Sequence, residues 1–150
     1  MPPTTIRLLH IEDDPMQQKL LARELAAMSD YRFDITAVES EDQALAGFSE
    51  SGFELVIMDY HLSQGNGLSC LRAIRKLDPI IPVISVSGVA TDEIAATLIS
   101  AGADDYLAKQ TINSQILGQS VRNVVTRSKA FRTRFTTAGS PTSKWGVAGR

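Results

Sequence analysis

Cysteine and histidine are scarce in this 150-residue sequence, and their scarcity excludes several classes of protein. The single cysteine, Cys70, cannot form a disulfide within the chain, which argues against a small secreted disulfide scaffold. The only histidines are His10 and His61, so no Cys/His cluster with zinc spacing exists. A structural zinc site is therefore excluded.

Long apolar runs are also absent. No window approaches the ~20 consecutive apolar residues that span a bilayer, and the N-terminus lacks a basic segment followed by an apolar stretch. Hydrophobic residues nevertheless make up 43% of the chain and charged residues 21%, which is enough apolar material for one folded core. We therefore expect a soluble, cytoplasmic protein without a membrane segment.

Acidic residues are missing from the last 45 residues. The first 105 residues carry all 17 acidic residues against 7 basic ones, a net charge of −10, whereas the remainder carries +8. The acidic part weakens any attraction to phosphate backbones, so nucleic-acid binding is not favoured. A solvated helix end is the default for the basic segment, and a homodimer or partner contact is the alternative. Its basic residues, interleaved with Phe131 and Phe135, are Arg127, Lys129, Arg132 and Arg134.

Short apolar runs alternate with amphipathic stretches five times along the chain. Strands are predicted over 6–11, 33–38, 54–58, 80–86 and 106–108. Helices are predicted after the caps Asp14 and Thr91, over 41–50 and 68–77, and from residue 113 or 114 towards Lys129. This order predicts an α/β fold, a doubly wound parallel sheet covered on both faces. We expect one domain over 5–130 and a basic, flexible tail over 131–150.

Polar residues follow four of the predicted strands directly. They are Glu12, Asp13 and Asp14 after the first strand, Asp59 after the third, Ser87 after the fourth and Lys109 after the fifth. In parallel sheets the ligand site lies at these carboxyl ends. Clustered carboxylates need a cation, and oxygen ligands suit Mg²⁺. A carboxylate nucleophile, a metal, an ammonium and a hydroxyl form a set suited to phosphoryl transfer onto aspartate.

Four segments of the chain carry a family resemblance in their order and spacing. They are 11–15 (IEDDP), 55–59 (LVIMD), 82–88 (PVISVSG) and 102–109 (GADDYLAK). Over about residues 5–130 the chain resembles the CheY-like receiver domains of bacterial two-component response regulators. The resemblance implies a flavodoxin-like (βα)5 fold with strand order 2-1-3-4-5.

The resemblance also implies a metal and acceptor site. Asp59 corresponds to the aspartate that accepts the phosphoryl group. Asp13 would bind Mg²⁺ directly and Glu12 through water, with Asp59 and the backbone carbonyl of His61 as further ligands.

A switch is implied by the same resemblance. Ser87 and Lys109 correspond to the hydroxyl and the lysine that bind the new phosphoryl group. Tyr106 corresponds to the aromatic residue whose rotamer follows the hydroxyl. The surface of the fourth helix, fifth strand and fifth helix would then change.

Three departures from the family pattern are visible. Ser63 and Gln110 stand where receiver domains usually have proline, so the loop at Ser63 is expected to be looser. A non-proline cis bond costs ~3 kcal/mol, which favours a trans bond before Gln110, but the sequence leaves both isomers open. His61 and Val89 occupy positions similar to those that tune dephosphorylation.

The expected function is that of a single-domain response regulator. It would take a phosphoryl group from a histidine kinase or a histidine phosphotransferase and then bind a downstream protein target or serve a phosphorelay. Because no output domain follows residue 135, we expect partner binding instead of DNA reading. Beyond Mg²⁺-dependent self-phosphorylation and autodephosphorylation, no enzyme activity is expected. The kinase contact is expected on the first helix, at Met16, Gln17, Leu20 and Leu21.

Two alternatives from other classes stay open. One is a small-molecule phosphatase that resembles the haloacid dehalogenase family, but that family has a second aspartate where His61 stands, and the chain has no length for a substrate cap. The other is a degenerate receiver that binds proteins independently of phosphorylation, which Ser63 and Gln110 keep open.

Overall fold

Strands and helices alternate along the chain as the sequence predicts. The structure is a computed structural model that describes residues 2–64, 66–89 and 91–139. The strands are β1 (Thr4–Ile11), β2 (Tyr31–Val38), β3 (Leu55–Asp59), β4 (Val83–Ser87) and β5 (Asp105–Ala108). The helices are α1 (Pro15–Ala26), α2 (Glu41–Ser51), α3 (Gly67–Leu77), α4 (Asp92–Ser100) and α5 (Ser114–Gly139), and a 3₁₀ turn covers Lys109–Thr111.

The five strands form one parallel sheet in the order β2-β1-β3-β4-β5. This confirms the predicted fold class and strand order. The central strands β3 and β4 are buried along their whole length, which explains their mostly apolar sequences. All five carboxyl ends meet at one edge of the sheet, where the predicted site residues lie.

The sheet separates two apolar cores, because successive side chains of each strand point to opposite faces. On one face, Leu8 and Ile57 pack with α1 and α5 through Leu25 and Val121. On the other, Leu9 packs with residues of α2, α3 and α4 that include Ala44, Leu71 and Leu98. Cys70 belongs to this second core and is fully buried. No helix in the described part of the chain combines the length and apolar composition needed to cross a membrane.

Side-chain caps define where the helices begin. The Asp14 carboxylate accepts the Met16 N–H at 2.9 Å, and Pro15 takes the first helical position. The Thr91 hydroxyl accepts the Ile94 N–H at 3.1 Å. Both predicted caps are confirmed.

Two predicted boundaries are wrong by three residues or more. Strand β4 begins at Val83, not at residue 80, because Asp78 Oδ1 accepts the N–H groups of Ile80 and Ile81 and holds them in a turn. Helix α5 continues ten residues beyond Lys129, so residues 131–139, which were predicted as part of the tail, are helical. No glycine or proline interrupts the sequence between Gly118 and Gly139, which explains the extension. The predicted flexibility of residues 140–150 falls outside the described residues.

Candidate functional site

Three carboxylates converge at the carboxyl ends of β1 and β3. Glu12 and Asp59 are 2% and 3% exposed, and Asp13 is half-buried. Each residue offers one oxygen such that all three oxygens lie within 4.8 Å of one another. The pairing of β1 with β3 produces this cluster, because Ile11 and Met58 are partners and the acids follow them directly.

The Lys109 side chain joins two of these carboxylates. Its Nζ lies 3.0 Å from Glu12 Oε1 and 2.8 Å from Asp59 Oδ2. Burial alone would lower the pKa of Lys109, but the hydrogen bonds to Asp59 and Glu12 outweigh burial and raise the pKa above its ordinary value. The ammonium therefore stays charged at neutral pH.

Negative charge exceeds positive charge in this cluster. Burial raises the pKa of Glu12 to about 7; the Lys109 hydrogen bond opposes this shift, and the charge of Asp59 adds to it. One ammonium faces three carboxylates, so the fully ionised cluster carries two uncompensated negative charges. Hard oxygen ligands with excess negative charge suit a divalent cation such as Mg²⁺.

The loop after β3 donates backbone N–H groups to the cluster. The His61 N–H lies 3.0 Å from Asp59 Oδ1, and the Ser63 N–H lies 2.7 Å from Asp13 Oδ2. Burial raises the pKa of Asp13, but its hydrogen bonds with Ser63 prevail and the pKa lies below its ordinary value. Proline has no N–H, so serine at position 63 adds a bond that the usual family residue lacks. This bond counteracts the loosening that the sequence led us to expect.

Two supporting residues were not predicted from the sequence. Gln18 Nε2 donates to the Glu12 carbonyl at 2.6 Å and so holds the end of β1 against α1. Gly67 lies so close to β3 that an added Cβ would be 2.6 Å from Tyr60 Cα and 2.7 Å from the Asp59 carbonyl oxygen. A glycine directly before a predicted helix was the signal available for the second residue.

Ser87 and Tyr106 meet at a shared backbone carbonyl. The fully buried Ser87 hydroxyl donates to the Val89 carbonyl at 2.9 Å and accepts the Val89 N–H at 3.1 Å. The Tyr106 hydroxyl donates to the same carbonyl at 3.0 Å. In this arrangement the Ser87 hydroxyl is satisfied by Val89, while Lys109 holds Asp59. The switch roles of Ser87 and Tyr106 stay predictions.

The two histidines lie in different surroundings. Burial is the main cause that lowers the pKa of His10 to about 4, and the Lys109 charge adds to it, so this imidazole is neutral at pH 7. The His61 ring packs edge-on against Tyr60, with centroids 4.8 Å apart. The role of the His61 carbonyl as a metal ligand stays a prediction. The described chain contains no cis peptide bond, so the bond before Gln110, whose isomer the sequence left open, is trans.

Comparison with known proteins gives a consistent result. Residues 8–121 match the response regulator receiver domain family. The transcriptional regulatory protein ZraR of Salmonella typhimurium is 30% identical over 104 residues, which are 69% of this chain and 23% of that protein. The chain therefore spans about a quarter of the length of this relative.

Solved structures agree with the fold. A CheY-like response regulator receiver domain protein from Methanospirillum hungatei is 25% identical, with a TM-score of 0.74 over 85% of this chain and 99% of that one. NtrX from Brucella abortus, solved in complex with ADP, is 25% identical, with a TM-score of 0.81 over 93% of this chain and 31% of that one.

Proposed function

The chain belongs to the response regulator receiver domain family, and on this basis we propose that it accepts a phosphoryl group from a histidine kinase or a histidine phosphotransferase onto Asp59. Receiver domains are signalling domains and interact in general with histidine kinases and downstream effectors. We propose that residues 5–130 form this unit. A cytoplasmic location is part of the proposal.

One observation carries the proposal. The buried Asp59 carboxylate lies at the carboxyl end of β3 with the Lys109 ammonium at 2.8 Å and two further carboxylates beside it. A carboxylate held next to fixed positive charge can attack phosphorus while that charge compensates the phosphoryl oxygens. The complete set of charged residues supports this role over that of an idle binding module.

The proposed transfer exchanges one bond for another. An oxygen of Asp59 attacks the phosphorus of a phosphohistidine, the N–P bond breaks, and the leaving imidazole takes up a proton. The product is an acyl phosphate on Asp59. Autodephosphorylation follows when a water oxygen attacks the same phosphorus, which returns the carboxylate and releases inorganic phosphate. We propose that His61 and Val89, whose positions resemble those that tune dephosphorylation in the family, influence the rate of this step.

The residues present fit Mg²⁺, and receiver domains bind it at an acidic pocket. We propose that the carboxylates of Glu12, Asp13 and Asp59 and the carbonyl of His61 hold it. When bound, the ion would neutralise the carboxylates and the incoming phosphoryl oxygens. The excess negative charge around Lys109 is the feature of this structure that supports the assignment.

Signal output is proposed to begin at Ser87. Its hydroxyl would leave the Val89 carbonyl and, with Lys109, bind the phosphoryl oxygens. Tyr106 shares that carbonyl, so its hydroxyl contact would change at the same time. The surface formed by α4, β5 and α5 would then bind a downstream protein or serve a relay.

Helix α1 is the proposed contact for the phosphodonor. Met16 is 62% exposed and Leu20 39% exposed, and both lie on the helix that follows the acidic loop. We expect Leu20→Glu to slow transfer from a histidine phosphotransferase while leaving transfer from acetyl phosphate unchanged. Leu77→Glu on α3 is the matched control, since Leu77 is also exposed but lies on another helix. Equal transfer rates for the two variants would contradict this contact.

The basic end of α5 is not proposed to bind nucleic acid. Arg127 donates to the Asp104 carbonyl at 3.4 Å, and Arg132 lies 3.5 Å from Asp78, so part of this charge is directed at the domain itself. A homodimer through the extended helix is the alternative partner contact. Sedimentation at several concentrations would distinguish it from a monomer.

The experiment that tests the function is incubation with acetyl phosphate and Mg²⁺, followed by intact mass spectrometry. The native chain should gain one phosphoryl group only when Mg²⁺ is present, and Asp59→Asn should gain none. Asp34→Asn is the matched control, because Asp34 is an exposed aspartate on the edge strand β2 and should leave the gain unchanged.

Absence of a gain in the native chain, repeated with a phosphorylated histidine phosphotransferase, would contradict the proposal. The receiver would then be a binding module that works without phosphorylation. A gain that persists in Asp59→Asn would place the acceptor on another residue.

A further inference from the structure

The loop between β4 and α4 is tied to the segment after β5 by a side chain outside the predicted site. The β4–β5 ladder ends at the pair Ser87 and Ala108. Beyond that pair, the Gln110 amide nitrogen donates a hydrogen bond to the Gly88 carbonyl. This bond extends the connection between the two strands past the last pair of the sheet.

The hydrogen bond from Gln110 to Gly88 constrains the residues that surround the Ser87 hydroxyl. Gly88 lies between Ser87 and Val89, and Val89 accepts and donates hydrogen bonds with the Ser87 hydroxyl. The Tyr106 hydroxyl also donates to the Val89 carbonyl. Three donors from three places in the chain therefore hold two consecutive carbonyls of this loop. The three donor atoms are Gln110 Nε2, which bonds to the Gly88 carbonyl, and Tyr106 Oη and Ser87 Oγ, which bond to the Val89 carbonyl.

We propose that Gln110 is a positioning residue that holds the loop from Ser87 to Val89 in the arrangement in which Val89 satisfies the Ser87 hydroxyl. The effect of this bond on phosphoryl gain rests on the proposed function, because there the Ser87 hydroxyl must leave Val89 to reach a phosphoryl group on Asp59. The Gln110 bond stabilises only the resting arrangement of the loop. Its loss should therefore favour the arrangement that receives the phosphoryl group.

The glutamine at position 110 explains why this chain can form the hydrogen bond to the Gly88 carbonyl. Proline, the usual residue there in the family, has no side-chain donor and could not make this bond. Gln110 and Gly88 are both exposed, so water competes for the bond. A net hydrogen bond of this kind shifts an equilibrium by about two- to tenfold.

The test compares four variants of the full chain. Gln110→Ala removes the amide, and Gln110→Glu keeps its shape but replaces the donor with an acceptor. Gln110→Lys restores an N–H donor on a side chain of similar reach. Gln115→Ala is the matched control, since Gln115 is an exposed glutamine in the first turn of α5.

The first readout needs no phosphorylation and follows hydrogen exchange of the Val89 amide by NMR. We expect exchange to be about two- to tenfold faster in Gln110→Ala and Gln110→Glu, and close to native in Gln110→Lys and Gln115→Ala. The urea midpoint should stay unchanged in all four variants. Native Val89 exchange in both Gln110→Ala and Gln110→Glu would overturn the proposal, as would a loss of global stability that accounts for the faster exchange.

The second readout is the rate of phosphoryl gain from acetyl phosphate. We expect about a two- to tenfold faster gain in Gln110→Ala than in the native chain. If exchange changes but the native chain takes up no phosphoryl group, the proposed function fails and the loop assignment stands. If the native chain is phosphorylated and both variants behave as native in both readouts, the proposed function stands and the role of Gln110 is refuted.

Discussion

Replacement of Gly67 by alanine should damage both stability and the acceptor site. An ideal Cβ at this position would lie 2.6 Å from Tyr60 Cα and 2.7 Å from the Asp59 carbonyl oxygen, whereas ordinary contact begins at 3.4 Å. Because both neighbours are backbone atoms, the start of α3 and the end of β3 must separate by about 0.8 Å. Overpacking of this kind costs about 1–3 kcal/mol in free energy of unfolding.

Gly47 provides the matched control for this substitution. It lies inside α2, and an added Cβ there meets nothing within 4 Å. Gly47→Ala should therefore increase the free energy of unfolding by about 0.5–1 kcal/mol, through the lower backbone entropy of the unfolded chain and better helix propensity. The same chemical change should thus have opposite signs at the two positions.

Urea unfolding measures both effects, and phosphoryl gain from acetyl phosphate measures the effect on the site. A misplacement of ~1 Å near reacting groups costs up to about a hundredfold in rate, so we expect at least a ~tenfold slower gain in Gly67→Ala. Gly47→Ala should keep the native rate. A native or higher urea midpoint for Gly67→Ala would refute the close approach as the reason for glycine.

Three further predictions concern stability and reactivity. Arg75 donates to the carbonyls of Gly102, Asp78 and Ile81 and to the Asp104 carboxylate. In urea titrations, Arg75→Leu should therefore lower the free energy of unfolding by about 2–3 kcal/mol. The control Arg72→Leu, on the exposed face of α3, should change it by less than about 0.5 kcal/mol. Burial raises the pKa of the Cys70 thiol to about 12, so a thiol reagent at pH 8 should react with it only after unfolding. Because this folded pKa lies above the unfolded value, the stabilising contribution is complete below about pH 8.5 and should decrease as pH rises from there towards 12. Arg122 and Asp30 pair at 2.8 Å with nearly half of each side chain exposed, so a double-mutant cycle should give only a small coupling energy, and a smaller one in 1 M salt. A larger coupling that persists in 1 M salt would show that solvent does not screen the pair.

Local patterns were predicted well because they depend on residues only a few positions apart. The Asp14 and Thr91 caps bond to N–H groups two and three residues away, and both were correct. The buried strands β3 and β4 were recognisable from their mostly apolar segments. The errors arose where a turn or the absence of a breaker decided the boundary, as at Asp78 before β4 and at the C-terminal end of α5.

The sequence by itself determined the alternating elements, the caps and, through its family motifs, the strand order and the identity of the charged site residues. Only the tertiary structure decided the contacts, because these residues are far apart in the chain. Lys109 reaches Glu12 across 97 positions and Asp59 across 50. The donation of Ser63 to Asp13 and of Gln110 to Gly88, and the close approach of Gly67 to β3, likewise depend on how loops meet at the sheet edge. Residue type and spacing determine local conformation, whereas the distance between two loops depends on the packing of the whole domain.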